Sequence, residues 1–170
     1  MTTEPTSDNK GTAWVIMGVS GCGKSQIGAR LGNQLGVEFI EGDAYHSDVN
    51  IARMSAGIAL TDDDRHDWLV TLRDLLARRE GGAVLSCSSL KRSYRDLLRS
   101  AGGDVRFVHL AGERSLLAER VSNRPGHYMP PSLLDSQLAT LEPLQPDEAG
   151  ITLDIRDTPA QLVAQILARA

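Results

Sequence analysis

The sequence predicts one α/β domain, a five-stranded parallel sheet with helices on both faces. Three observations lead there. Short apolar runs alternate with longer segments of helical period from Ala13 to the last residue. The clearest runs are unbroken in their apolar character, as strands buried on both faces are. Strands alternating with helices imply right-handed crossovers, and 170 residues without repeat, low-complexity tract or linker fit a single core.

The elements follow in order. Residues 1–11, "MTTEPTSDNKG", read as a disordered tail with no apolar stretch of a secretion signal, leaving 12–170 as the domain. "AWVIMG" (Ala13 to Gly18) is the first strand. Ile27, Leu31 and Leu35 then recur every four residues on one helix face. "VEFI" (Val37 to Ile40) is the second strand, followed by a polar, helix-prone stretch through Met54. The clearest helix is "LTDDDRHDWLVTLRDLLARRE": Thr61 caps it, Asp64 stands three residues on, and Trp68, Leu69, Leu72, Leu75 and Leu76 form its apolar stripe. "AVLSC" (Ala83 to Cys87) is the third strand, "KRSYRDLLRSA" a helix and "VRFVHL" (Val105 to Leu110) the fourth strand. A helix from about Glu113 to Asn123 leads into "NRPGHYMPPS", a Pro- and Gly-rich segment expected to be a mobile loop within a helical lid at about 120–140. "ITLDI" (Ile151 to Ile155) is the fifth strand, and "PAQLVAQILARA" closes the chain with Pro159 in its first turn.

Composition excludes several functions. Apolar residues make up 41%, charged residues 24%, and net charge is −4 without a basic block, so nucleic acid and anionic membrane are not expected partners. No run approaches the ~18 apolar residues of a membrane span. Cys22 and Cys87 make no disulfide framework, and a reducing, cytoplasmic setting fits them.

"GVSGCGKS" satisfies G-x-x-x-x-G-K-[ST] at Gly18, Gly23, Lys24 and Ser25, between a strand and a helix, which is the context this phosphate-binding loop requires. Backbone N–H groups from Gly18 through Val19, Ser20, Gly21, Cys22 and Gly23 to Gln26 can line an anion-binding concavity at a helix N-terminus. Lys24 supplies charge for the β and γ phosphates of ATP, and the Ser25 hydroxyl can ligate Mg²⁺. A GTP-dependent switch is excluded: no N/T-K-x-D guanine reader occurs, and the D-x-x-G spacing of "DNKG" lies before the phosphate loop.

In "FIEGDAYH", Glu41 and Asp43 leave the second strand two residues apart, at the end that faces the ligand crevice. One carboxylate can organise Mg²⁺ through water, and the other can take a proton from an attacking hydroxyl. Arg65 sits near a helix N-terminus, where a cation is unfavourable unless an anion holds it. A substrate carboxylate or an ion pair with Asp64 would serve. Ser86, Ser88 and Ser89 at the end of the third strand can donate to hydroxyls, Ser89 alternatively capping the next helix, and Lys91 can meet a carboxylate or phosphate. Tyr94 and Arg95 read as local braces. Arg120 and Arg124, four apart, can share a helix face near the lid; Arg124 is assigned to the transferring charge, with Arg120 second. Arg156, after the fifth strand, can stack on the adenine, although a capping role for Asp157 or Thr158 accounts for that loop as well.

"GVSGCGKS", "EGDAYH", "NIARM", "LTDDDRHDW", "CSSLKRSYRDLLR" and "GHYMPPSLLDSQLATLE" occur in this order from Gly18 to about Glu142. In these motifs the chain resembles the small, shikimate-kinase-like gluconokinases. The resemblance implies transfer of the γ-phosphoryl of ATP to the 6-hydroxyl of D-gluconate, with Mg²⁺, and suggests a homodimer. It implies Lys24, Asp43 and Arg124 as catalytic residues. Asp43, His46, Arg53, Arg65, Ser88, Lys91 and His127 would bind the acceptor, and Ser25 and Glu41 the metal. Glu41 replaces the family's usual Asp, Ser47 a proline, Thr61 an Asn, and Cys22 a Ser or Ala; none removes a charged group. Shikimate kinases carry a glycine-rich turn at the third-strand edge, absent here, which favours a polyol over a ring acid. Another small-acceptor kinase, such as a shikimate kinase, and a nucleotide-binding regulator without turnover are the alternatives.

Overall fold

The computed structural model describes residues 11–123 and 131–169. Its elements are β1 (Ala13–Met17), α1 (Lys24–Leu35), β2 (Glu38–Glu41), a 3₁₀ turn (Gly42–Tyr45), α2 (Asp48–Ser55), α3 (Asp62–Ala77), β3 (Ala83–Ser86), α4 (Arg92–Arg99), β4 (Val105–Ala111), α5 (Arg114–Ser122), α6 (Pro131–Thr140), β5 (Gly150–Asp154) and α7 (Pro159–Leu167). The five strands pair in parallel in the order β2-β3-β1-β4-β5.

The order follows from burial. Every residue of β1 is buried, as is every residue of β3, so these apolar runs occupy the middle of the sheet with helices over both faces. β2 and β5 carry exposed residues and take the edges. The chain leaves β1 for one edge, returns to β3, then crosses to β4 and β5. A reversal of direction beside the central strand opens a crevice at the carboxyl ends, and the Gly18–Ser25 loop leaves β1 there.

Two devices set the walls of that crevice. Helix α3 begins with a complete capping box: Thr61 Oγ1 accepts from the Asp64 N–H, and the Asp64 carboxylate accepts from the Thr61 N–H. Its Trp68, Leu69, Leu72 and Leu76 are buried, each side chain contributing roughly 1.5–3 kcal/mol. Helix α4 is tied through Arg95, fully buried, which donates to Glu148 and to the Ser89 and Glu142 carbonyls. The bracing role expected of Arg95 therefore holds through the nearby Ser89 carbonyl, and it extends to Glu142 and Glu148 about fifty residues away. Burial alone would raise the Glu148 carboxyl; Arg95, the Gln145 N–H and Arg99 outweigh it and hold it at about 2.

Ser47 shows what replaces a proline at that position. Its hydroxyl accepts from the Asn50 N–H and caps α2. The Gly11 N–H donates to the Glu80 carbonyl.

Candidate active site

The phosphate loop takes its shape from backbone that side chains would forbid. Gly21 has φ of 86°, and a Cβ there would lie 2.8 Å from the Leu117 carbonyl oxygen. The loop then turns into α1 with its first N–H groups unspent on side-chain caps, which leaves them free for an anion. Lys24 folds back so that Nζ donates to the Val19 carbonyl at 3.2 Å, while Val19 and Cys22 are buried beneath it.

Two cavities open on this loop. One, of about 540 Å³, is lined by Ser20 through Ile27, with Glu41, Asp43, Arg120 and the loop after β5. The second, of about 240 Å³, is walled by Asp43, His46, Arg65, Trp68, Ser88 and α6. Ser20, Gly21, Lys24 and Asp43 line both. Asp43 thus stands at the junction, with its side chain 74% exposed and open to either space.

The acidic turn is fixed from β3. Gly42 packs so closely on β3 that a side chain there would collide with the Ser86 carbonyl oxygen. Ser86 Oγ accepts from the Gly42 N–H at 3.2 Å and donates to Glu41 Oε1 at 2.7 Å. This corrects the expectation for Ser86: it is buried and serves the acidic turn, not a ligand. Trp68 finishes the work, its indole N–H donating to the Gly42 carbonyl at 2.8 Å and its ring stacked on His46 with centroids 4.0 Å apart. His46 Nε2 lies 3.8 Å from Asp43. Burial lowers the imidazole's pKa; Asp43 opposes that and Arg65 adds to it, so His46 faces the cavity neutral at pH 7.

Arg65 lines the acceptor cavity and donates from Nη1 to the Tyr94 hydroxyl at 3.0 Å. The ion pair that was open for it with Asp64 goes to Arg53, at 3.5 Å. That engagement keeps Arg53 among the residues outside the cavity wall. Lys91 is likewise drawn off: Nζ meets Asp62 at 3.0 Å, so it too stands apart from the lining. Ser88 lines the cavity, whereas Ser89 is buried at φ 49° and donates to the Cys87 carbonyl, neither facing a ligand nor capping α4.

On the phosphate side, Arg120 lines the larger cavity and donates to the Ile155 carbonyl at 2.8 Å. Arg156 does not reach it. Its guanidinium pairs with Asp154 at 2.6 Å and lines a separate hollow beside Gly112, while Thr158, with Gln161, caps α7. Arg124, His127 and Tyr128 lie outside the described residues, as does most of the expected mobile loop.

Sequence reasoning missed three residues. Trp68 reads as core by its helical spacing, yet one edge faces the cavity. Tyr94 reads as a brace and holds Arg65. Gln137 joins the site from α6, its Oε1 accepting from the Ser20 N–H at 2.7 Å across 117 positions of sequence. Only the motif "QLATLE" hinted that its position mattered.

The described residues hold no cluster of three or more His, Cys, Asp or Glu fit to cage a metal. A magnesium ion asks for less, one or two protein oxygens beside phosphate and water. Ser25, Glu41 and Asp43 share the larger cavity with Lys24, so the donor set fits.

The chain is similar to known proteins in sequence and fold. A family model described as an AAA domain matches residues 14–144. The gluconokinase of Gluconobacter oxydans is 44% identical, over 90% of this chain and 88% of that protein. Among solved structures, a gluconokinase from Sinorhizobium meliloti superposes with a TM-score of 0.86 at 48% identity, covering 94% of this chain and 91% of that one. An unliganded sugar kinase from a Janibacter species superposes with a TM-score of 0.87 at 48% identity, covering 93% of each chain.

Proposed function

The chain belongs to the gluconokinase family, and from that premise we propose that it transfers the γ-phosphoryl group of ATP to the 6-hydroxyl of D-gluconate. The observation that carries the residue assignments is the position of Asp43 and Lys24 on the shared wall of the two cavities. A phosphate chain held by the loop ends beside the space where an acceptor would lie.

The roles follow from charge and reach. Apart from that of Ser20, which Gln137 holds, the N–H groups of the loop hold the phosphates with Lys24 and meet charge that builds during transfer. Arg120 stands on the phosphate side for the same purpose, and Arg124 is proposed to join it. Asp43 takes the proton of the 6-hydroxyl as the new O–P bond forms and the bond to ADP breaks. Arg65 lines the acceptor cavity away from the phosphate loop and pairs with the sugar-acid carboxylate; Ser88 and His46 meet hydroxyls. Ser25 and Glu41 would hold Mg²⁺, which when bound neutralises phosphate charge. Holding both reactants against one wall supplies much of the rate by orientation alone.

ADP release measured against gluconate, shikimate, related sugar acids and nucleoside monophosphates tests the reading. Gluconate should support turnover at least a hundredfold faster than the others. Preference for shikimate, or no turnover with any acceptor, would overturn it.

A further inference from the structure

Gln137 is a polar residue of the site that none of the roles above uses. It lies on α6 and lines the acceptor cavity, while its side-chain oxygen takes the Ser20 N–H of the phosphate loop at 2.7 Å. A backbone N–H can be met only by the oxygen of a side-chain amide, which fixes the orientation of the group. The amide nitrogen, with two protons to donate, is then left over. Among the described residues it makes no hydrogen bond to protein.

We propose that Gln137 is an acceptor-binding residue braced on the phosphate loop: its oxygen holds the Ser20 N–H and its nitrogen donates to an oxygen of bound gluconate. This rests on the acceptor reading above. One planar group would then set the distance between the loop that carries the phosphates and the hydroxyl row that receives one. A neutral donor suits the place. Lys24 and Arg65 already face the cavity as cations, and a carboxylate there would repel both an anionic acceptor and the phosphates.

The wall around it does not depend on Gln137. Arg114 holds Asp135 through two contacts of 2.6 and 3.2 Å, and Leu134 is buried in the core, so α6 keeps two other anchors. Changing residue 137 should therefore leave the fold in place.

Two substitutions separate the functions of the amide. Gln137→Met keeps length and loses both polar atoms. Gln137→Glu keeps an accepting oxygen for Ser20, loses the donor and adds a negative charge. The measurements are the gluconate KM and kcat from ADP release, the ATP Kd by titration without gluconate, and Tm. Gln137→Met should raise the gluconate KM about tenfold, the worth of one hydrogen bond to ligand, with ATP Kd changed less than threefold. Gln137→Glu should raise it further, and added salt should recover part of that extra loss in Gln137→Glu but none of the loss in Gln137→Met. A gluconate KM within twofold of wild type in both variants, with or without a fall in Tm, overturns this inference alone. Wild-type protein inert towards gluconate overturns the acceptor reading and this inference with it.

Discussion

Arg65 enters the acceptor cavity from the first turn of α3, where the helix dipole disfavours a cation. The structure shows what steadies it there. The Tyr94 hydroxyl accepts from Arg65 and donates to Asp62, and Lys91 closes the group from the far side of Asp62. Burial, then the bond to Asp62, raise the Tyr94 phenol, so it stays protonated and keeps this polarity throughout the neutral range. Asp62 is therefore the far anchor of a site cation. Tyr94→Phe removes the hydroxyl and little else. The gluconate KM should rise three- to tenfold while kcat falls less than threefold, as steady-state kinetics would show. An unchanged KM would mean that Arg65 needs no brace.

At the scale of elements, what could be read in advance was what is local. Short, largely apolar runs marked all five strands, with ends shifted by a single residue, and in β1 and β3 burial on both faces leaves an unbroken pattern in the chain itself. The capping box of α3 was legible because donor and acceptor lie three residues apart, and Thr158, which caps α7, was one of two candidates there. The phosphate loop and the acidic turn were legible as motifs. The ties between elements were not. Ser86 to Glu41, Arg95 to Glu148 and Gln137 to Ser20 join residues 45, 53 and 117 positions apart. Their existence depends on sheet register and helix placement, which no periodicity records. The same blindness applies to Arg53 and Lys91, each paired with a carboxylate, 11 and 29 positions away, that the fold brings near, whereas Arg156 pairs with Asp154 only two residues before it.

The whole molecule is built so that the cavities on the phosphate loop sit at the carboxyl edge of the sheet, above an apolar interior. Among the described residues, that interior holds a buried histidine as well as the Arg95–Glu148 pair. His109 on β4 is buried, its Nδ1 without a partner, and burial with nearby Arg95 pushes its pKa down to about 4. A histidine depressed by folding takes up its proton more readily unfolded. Its contribution is therefore complete above the unfolded value near 6.5 and is lost as pH falls towards 4. Stability should drop by about 3 kcal/mol over that window, and His109→Gln should flatten the slope in denaturant unfolding followed at successive pH values. An identical slope in the variant would place the acid sensitivity elsewhere. The central claim concerns the junction of the two cavities and is tested most directly there. In Asp43→Asn, kcat with gluconate and the Kd for ATP should be measured side by side. The account predicts that kcat falls at least a hundredfold while the ATP Kd moves less than threefold; a variant that turns over at the wild-type rate would contradict it.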